Sequence, residues 1–227
     1  MSDSQVPYWD AAAATKTFTH PLHPPWLDAL GRSAAVLDYG CGYGRLTGEL
    51  ERHGFGDLTG VDTSPAMIDR ARRLHPGPRF DTLDAPPSVP CPDAAFDVVL
   101  LFAVLTCVPA DEAQHRLIAE LHRVLRPGGI LYVSDYLLQD DARNRERYAR
   151  HDGGIYGVFE TGDGAVCRHH TREWFAGLLA DFDPVDTRTI GVPTMNGHRA
   201  AGIQLLVRRS VTATAAPPTP SSPPASA

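Results

Sequence analysis

Ala35-Val36-Leu37-Asp38-Tyr39-Gly40-Cys41-Gly42-Tyr43-Gly44-Arg45-Leu46 joins an apolar triplet to an acid, then sets glycine at every second position before a helix-like run. The triplet predicts a buried strand ending at Leu37. The glycines predict a turn so sharp that backbone lies where side chains would, with the positive φ that glycine alone adopts freely. The helix after the turn aims its free N–H groups at whatever the turn holds. Asp38 puts a carboxylate beside that turn. It disfavours a pyrophosphate and favours a ligand carrying an ammonium or a sulfonium. The spacing is Gly-x-Gly-x-Gly, not the Gly-x-Gly-x-x-Gly of dinucleotide binders.

Further blocks follow at regular intervals. Gly60-Val61-Asp62 reads as a second strand ending in an acid, and Ser64-Pro65 as the cap and first turn of a helix. Asp84-Ala85 follows a third short strand, and Phe96 to Phe102 is a fourth. Leu125-Arg126-Pro127-Gly128-Gly129 stops a helix before a fifth strand, Ile130 to Val133. Together these blocks, over roughly residues 34–135, resemble the class I S-adenosylmethionine-dependent methyltransferases.

That resemblance implies an α/β fold: a Rossmann-like, seven-stranded, mostly parallel sheet with helices on both faces. Its last strand, Ala201 to Val207, would run antiparallel beside the fifth. S-adenosyl-L-methionine is the implied cofactor. Asp38, Tyr39, Gly40 and Gly42 would hold it from the loop, and Asp62 and Thr63 would meet the ribose. Met67 would cover the adenine, Asp84 and Ala85 would meet the adenine edge, and Phe102 would close the fourth strand's end. Tyr8, Phe18 and Thr19 would reach it from an N-terminal cap.

The chain has 227 residues, 43% hydrophobic, with a formal net charge of -6. That suits one domain with a sizeable core. No basic stripe is visible, which disfavours a nucleic-acid partner. No apolar run is long enough to span a membrane, and no signal peptide is expected. Cys41, Cys91, Cys107 and Cys167 contain no Cys-x-x-Cys pair, and reduced thiols in a cytoplasmic protein are the simplest reading. No metal site is expected. In Cys167-x-His169-His170 the adjacent histidines face opposite ways on a strand, so the set does not close. A homodimer is the one self-association left open.

Three regions are expected: an N-terminal cap (1–33), the methyltransferase domain (34–209) and a disordered tail (210–227) of small residues, threonine, serine and proline. Residues 136–170 are an insertion by the standards of the family. It holds a charged helix, Asp140 to Arg150, and a hairpin around Thr161-Gly162-Asp163-Gly164. The cap and this insertion are placed to close over the acceptor. Among their titratable groups His20, Tyr156 and His169 are the catalytic candidates, because they sit beside turns or on the hairpin. Cys107 reads as a packing residue, because nothing near it in sequence lowers its pKa.

Methyl transfer to oxygen, nitrogen or carbon of a small molecule, of the kind made in bacterial secondary metabolism, is the function expected. One alternative keeps the cofactor but attacks another carbon of the sulfonium, for example cyclising its aminocarboxypropyl arm. A non-catalytic cofactor-binding regulator is the third, and the intact set of acids and glycines argues against it.

Overall fold

A computed structural model of the protein describes residues 5–151 and 154–211. The expected tail therefore falls outside the described residues except for Ser210 and Val211.

Two short helices precede the sheet, α1 (Val6–Ala12) and α2 (Pro24–Asp28). Each begins with a proline-containing first turn, where proline's fixed φ suits a helix start. The core then alternates: β1 (Ala35–Tyr39), α3 (Arg45–Arg52), β2 (Asp57–Asp62), α4 (Pro65–Leu74), β3 (Arg79–Thr82) and β4 (Phe96–Phe102). α5 (Asp111–Val124) leads into β5 (Leu125–Tyr136). α6 (Ala142–Arg150) and a two-stranded hairpin, β6 (Val158–Glu160) with β7 (Val166–Arg168), form the insertion. α7 (Arg172–Leu178), β8 (Phe182–Pro193) and β9 (Arg199–Arg209) complete the chain.

The sheet has seven strands in the order β3-β2-β1-β4-β5-β9-β8. The first five are parallel, and β9 lies antiparallel beside β5, as expected. β1 is buried on both faces. Val36 faces the core that holds Trp26, Leu50 and Leu100, while Leu37 faces the one that holds Val99, Leu121 and Phe175. The strand order reverses on either side of β1. That reversal opens a crevice at the carboxyl ends of β1 and β4, where sheets of this kind bind ligands.

Several local expectations change. β1 runs two residues past Leu37, so Asp38 lies inside the strand and is buried. β5 begins at Leu125 and runs to Tyr136, because backbone pairing with β4 and β9 extends beyond the apolar run. Ala110 is the N-cap of α5, and the Asp111 carboxylate in its first turn receives Arg168 of β7. Ser64 does cap α4, accepting from the Met67 N–H.

Candidate active site

The glycine loop has the predicted backbone. Gly40, Gly42 and Gly44 take φ of 73°, 54° and 77°. The Gly40 and Cys41 N–H groups both donate to Val61 O, which folds the loop back onto β2. The Gly42 N–H donates to Asp62 Oδ2 at 2.9 Å, and Asp62 Oδ1 accepts from Ser64 N–H at 2.9 Å. One carboxylate thus orders the loop after β1 and the entry to α4, with lone pairs left over for a ligand. Asp38 accepts from Thr47 Oγ1 on α3 at 2.7 Å.

These groups face a cavity of about 890 Å³. Asp38, Tyr39, Gly40, Asp62, Thr63, Met67, Asp84 and Phe102 line one side of it, and Phe18, Thr19, His20 and His169 line it as well. Gly42, Ala85 and Tyr8 do not. A Cβ at Gly42 would meet Phe18 Cε2 at 2.1 Å, so that glycine makes room for the cap rather than lining the space. Tyr8 instead donates its hydroxyl to Asp163 at the hairpin turn, 3.1 Å away. Tyr156 is the clear correction. It is 60% exposed, sits in the turn before β6, and stands outside the cavity. Tyr136 and Tyr148 take the inner positions. Tyr136 ends β5 and lines the cavity, and Tyr148 is buried behind His169.

The cap is fastened at both ends. Asp10 of α1 accepts from Ser64 Oγ and Ala66 N–H at the start of α4. Phe18 stacks on Tyr43 with ring centroids 5.1 Å apart. On the far side Gln5 pairs with both the N–H and the carbonyl of Val166, and Lys16 forms an ion pair with Asp163. Cap and hairpin together wall off the cavity, as the sequence predicts.

Burial sets the electrostatics. It pushes the Asp38 carboxyl up to about 6, against the lowering pull of Thr47 and Arg45, and raises Asp62 as well. Buried carboxylates that resist ionisation want a cation beside them. The ammonium and sulfonium of S-adenosylmethionine supply that, and the free lone pairs of Asp62 suit a vicinal diol, so the donor set fits this cofactor. A pH dependence follows. A folded-state pKa above the unfolded 3.8 means the fold binds the proton more tightly, so Asp38 favours folding more as pH falls from about 6 towards 3.8. Cofactor binding needs the ionised form and moves the other way. Affinity for S-adenosylhomocysteine, which keeps the ammonium, should fall below pH 6, approaching about tenfold per unit. Calorimetric titrations at about pH 7 and pH 5 giving equal affinity would remove Asp38 as the counter-charge.

His20 and His169 are buried, and burial holds His20 down at about 3 and His169 well below its usual value. Both imidazoles are neutral near pH 7. His20 Nδ1 pairs with Ser134 Oγ at 2.8 Å and His169 Nδ1 with Tyr148 Oη at 2.7 Å, and no described residue pairs with either Nε2. His170 turns the opposite way, onto Gln114 and Phe175, as adjacent strand residues must. The Cys107 thiol is pushed well up by burial, in keeping with packing rather than nucleophilic use.

Sequence reasoning did not single out Tyr136 and Arg147, which also line the cavity. Tyr136 ends a strand on the ligand side, like Asp62, and that position was the available signal. Arg147 belongs to the spacing 143, 147, 150, one face of the charged helix.

Known proteins agree with this geometry. The profile of a methyltransferase domain family matches residues 37–133. Trans-aconitate 2-methyltransferase of Methylobacterium nodulans is 34% identical over 205 residues, covering 84% of this chain and 75% of that protein. 2-Methyl-6-phytyl-1,4-hydroquinone methyltransferase of Synechocystis is 39% identical over 119 residues, 51% of this chain and 36% of that one. An S-adenosylmethionine-dependent methyltransferase from Methanosarcina mazei superposes with a TM-score of 0.79 at 25% identity, over 84% of this chain and 99% of that one. The glycine loop, the acid-ended strands and the antiparallel β9 therefore have the origin the sequence implied: this chain belongs to the S-adenosylmethionine-dependent methyltransferases and is an enzyme of that class.

Proposed function

We propose that the protein methylates a small molecule of bacterial secondary metabolism, drawn into the cavity opposite the cofactor. The observation that carries this is the cavity of about 890 Å³, acidic where β1, β2 and β3 end and walled elsewhere by the cap and the insertion. Such a space suits a cofactor together with a compact acceptor. The resemblance to trans-aconitate 2-methyltransferase, over 84% of this chain and 75% of that protein, supports a small acceptor over a macromolecule. Among the described residues no helix is long and apolar enough to cross a membrane. The unpaired thiols of Cys41, Cys91, Cys107 and Cys167 accord with work in the cytoplasm.

Bound S-adenosylmethionine supplies an electrophilic methyl group on a sulfonium. The chain aligns an acceptor atom with it and excludes water, and alignment alone is worth several kcal/mol of barrier. Asp38 and Asp62 hold the cation and the diol. Phe18 and Thr19 cover them, with the Thr19 hydroxyl anchored to Pro193 O. His20 and His169 are the groups we assign to the acceptor.

Incubation with labelled S-adenosylmethionine and a metabolite extract, read by mass spectrometry, should give S-adenosylhomocysteine and a methylated product. Methylthioadenosine in its place would overturn methyl transfer in favour of chemistry on the aminocarboxypropyl arm. His20→Ala and His169→Ala should each lower turnover about tenfold while cofactor affinity changes far less. Parent-like turnover in both would remove these side chains from the reaction.

A further inference from the structure

The cavity has a third wall. Beside the cap and the hairpin, Thr194, Met195, Asn196 and His198 of the turn between β8 and β9 line it. That turn closes on itself: the Thr194 N–H donates to His198 O at 2.6 Å, and Gly197 takes φ of 80°. The hairpin tip is built alike. The Gly164 N–H donates to Thr161 O at 3.0 Å, and Thr161 Oγ1 donates to Asp163 Oδ1 at 2.6 Å. A Cβ at Gly162, Gly164 or Gly197 would meet no atom of the described residues within 4 Å, so both tips stand clear of the body at those positions. Turns satisfied within themselves and packed on little else open locally at low cost.

One ammonium joins the two tips. Lys16 Nζ lies 2.5 Å from Asp163 Oδ2 on the hairpin and donates to Asn196 Oδ1 on the β8–β9 turn at 2.8 Å. Asp163 Oδ2 also accepts from Tyr8 Oη at 3.1 Å, and the Lys16 hydrogen bond holds its carboxyl below the ordinary carboxylate range. The backbone beside Lys16 is tied to the cofactor half. Arg70 of α4 donates to Ala13 O at 2.6 Å and to Lys16 O at 3.3 Å, and its guanidinium lies 4.0 Å from the Tyr43 ring centroid on the glycine loop. Further along the cap, Thr19 Oγ1 donates to Pro193 O, where β8 ends, at 2.5 Å.

Lys16 and Asp163 stand outside the cavity, so neither side chain touches a ligand there. A partly exposed ion pair of this kind adds little to global stability. What it decides is where two otherwise free tips stand, and both tips belong to walls of the site.

We propose that Lys16 is a positioning residue that latches the roof of the site: one ammonium holds the cap, the hairpin tip and the β8–β9 turn closed together, and ligands enter and leave when that joint parts. Its backbone is anchored on α4 and its side chain reaches the two tips, so the cofactor side and the opposite side open as one. The identity of the ligand rests on the methyltransferase reading above; the joint itself does not.

Hydrogen exchange on the full chain without ligand, read by mass spectrometry, compares the parent with Lys16→Met. Expected is exchange about tenfold faster in peptides covering both 158–168 and 194–198, at an unchanged melting temperature. Faster exchange confined to the cap would overturn the joint, because a lysine that only finishes the cap reaches neither tip. Stopped-flow release of S-adenosylhomocysteine should quicken about tenfold in Lys16→Met and return towards the parent rate in Lys16→Arg, which keeps the charge and the reach. Asp163→Asn, which keeps the volume and loses the charge, should reproduce both effects in smaller measure. Release at the parent rate in Lys16→Met overturns the latch while leaving methyl transfer standing. A parent that binds no S-adenosylhomocysteine refutes the methyltransferase reading, and the exchange result then decides the joint by itself.

Discussion

Asp62→Ala should weaken S-adenosylhomocysteine binding by about ten- to a hundredfold, because a hydrogen bond to a charged group is worth about 1.5–3 kcal/mol. The effect has two parts. The carboxylate is the acceptor we assign to the ribose, and it also takes the Gly42 and Ser64 N–H groups at 2.9 Å each. Alanine removes the first and leaves both backbone donors without their partner, so the loop and the start of α4 loosen together. The sheet should survive, since β2 keeps its pairing with β1 and β3 through Leu58 to Val61. Asp62→Asn separates the parts: it keeps one acceptor oxygen and should lose less. Calorimetric titration with circular dichroism as the fold check decides it. Parent-like affinity in Asp62→Ala would count against the cofactor assignment as a whole.

Gly42→Val should abolish measurable cofactor binding, the largest effect expected of any single change. Two costs coincide there. The backbone has φ of 54°, a region that costs an L side chain about 1–2 kcal/mol and a β-branched one more. The new Cβ would also stand 2.1 Å from Phe18 Cε2 and 3.0 Å from Cδ2 and Cζ. Phe18 must leave, and with it the stacking on Tyr43 and the cap's cover over the glycine loop. Gly56→Ala is the control, because a Cβ there meets nothing within 4 Å. Phe18→Ala combined with Gly42→Ala should recover part of the binding, since it removes the collision and leaves the backbone strain and the lost Phe18 stacking. Normal binding by Gly42→Val would show that neither the loop's shape nor the Phe18 contact matters to the cofactor.

The two predictions differ in how far they could be read from the chain. Asp62 is legible because it sits at a strand end with Ser64-Pro65 directly after it, and its partners Gly42 and Ser64 belong to adjacent blocks. The clash at Gly42 is not legible. Positive φ could be inferred from glycine spacing, but Phe18 lies outside the loop, and only the fold lays its ring on the turn.

By itself the sequence determined the α/β order, the glycine turn, the acids close to the ends of β1, β2 and β3, and Ser64 as the cap of α4. Each of these is a matter of local backbone chemistry or of one period of side-chain alternation, so neighbouring residues carry the whole signal. The side of the cavity formed by the cap and the insertion was decided by tertiary structure alone. Tyr156 seemed as good a candidate as His169 because both flank the hairpin, yet the turn before β6 turns Tyr156 to solvent while His169 points inward. The partners of the histidine Nδ1 atoms, Ser134 and Tyr148, lie 114 and 21 residues away in sequence. Arg147 lines the cavity because α6 packs against β6 and sets its guanidinium on Phe159. Which partners a buried histidine takes, and which ring a guanidinium stacks on, are properties of contacts between distant segments. No stretch of sequence contains them until the chain has closed on itself.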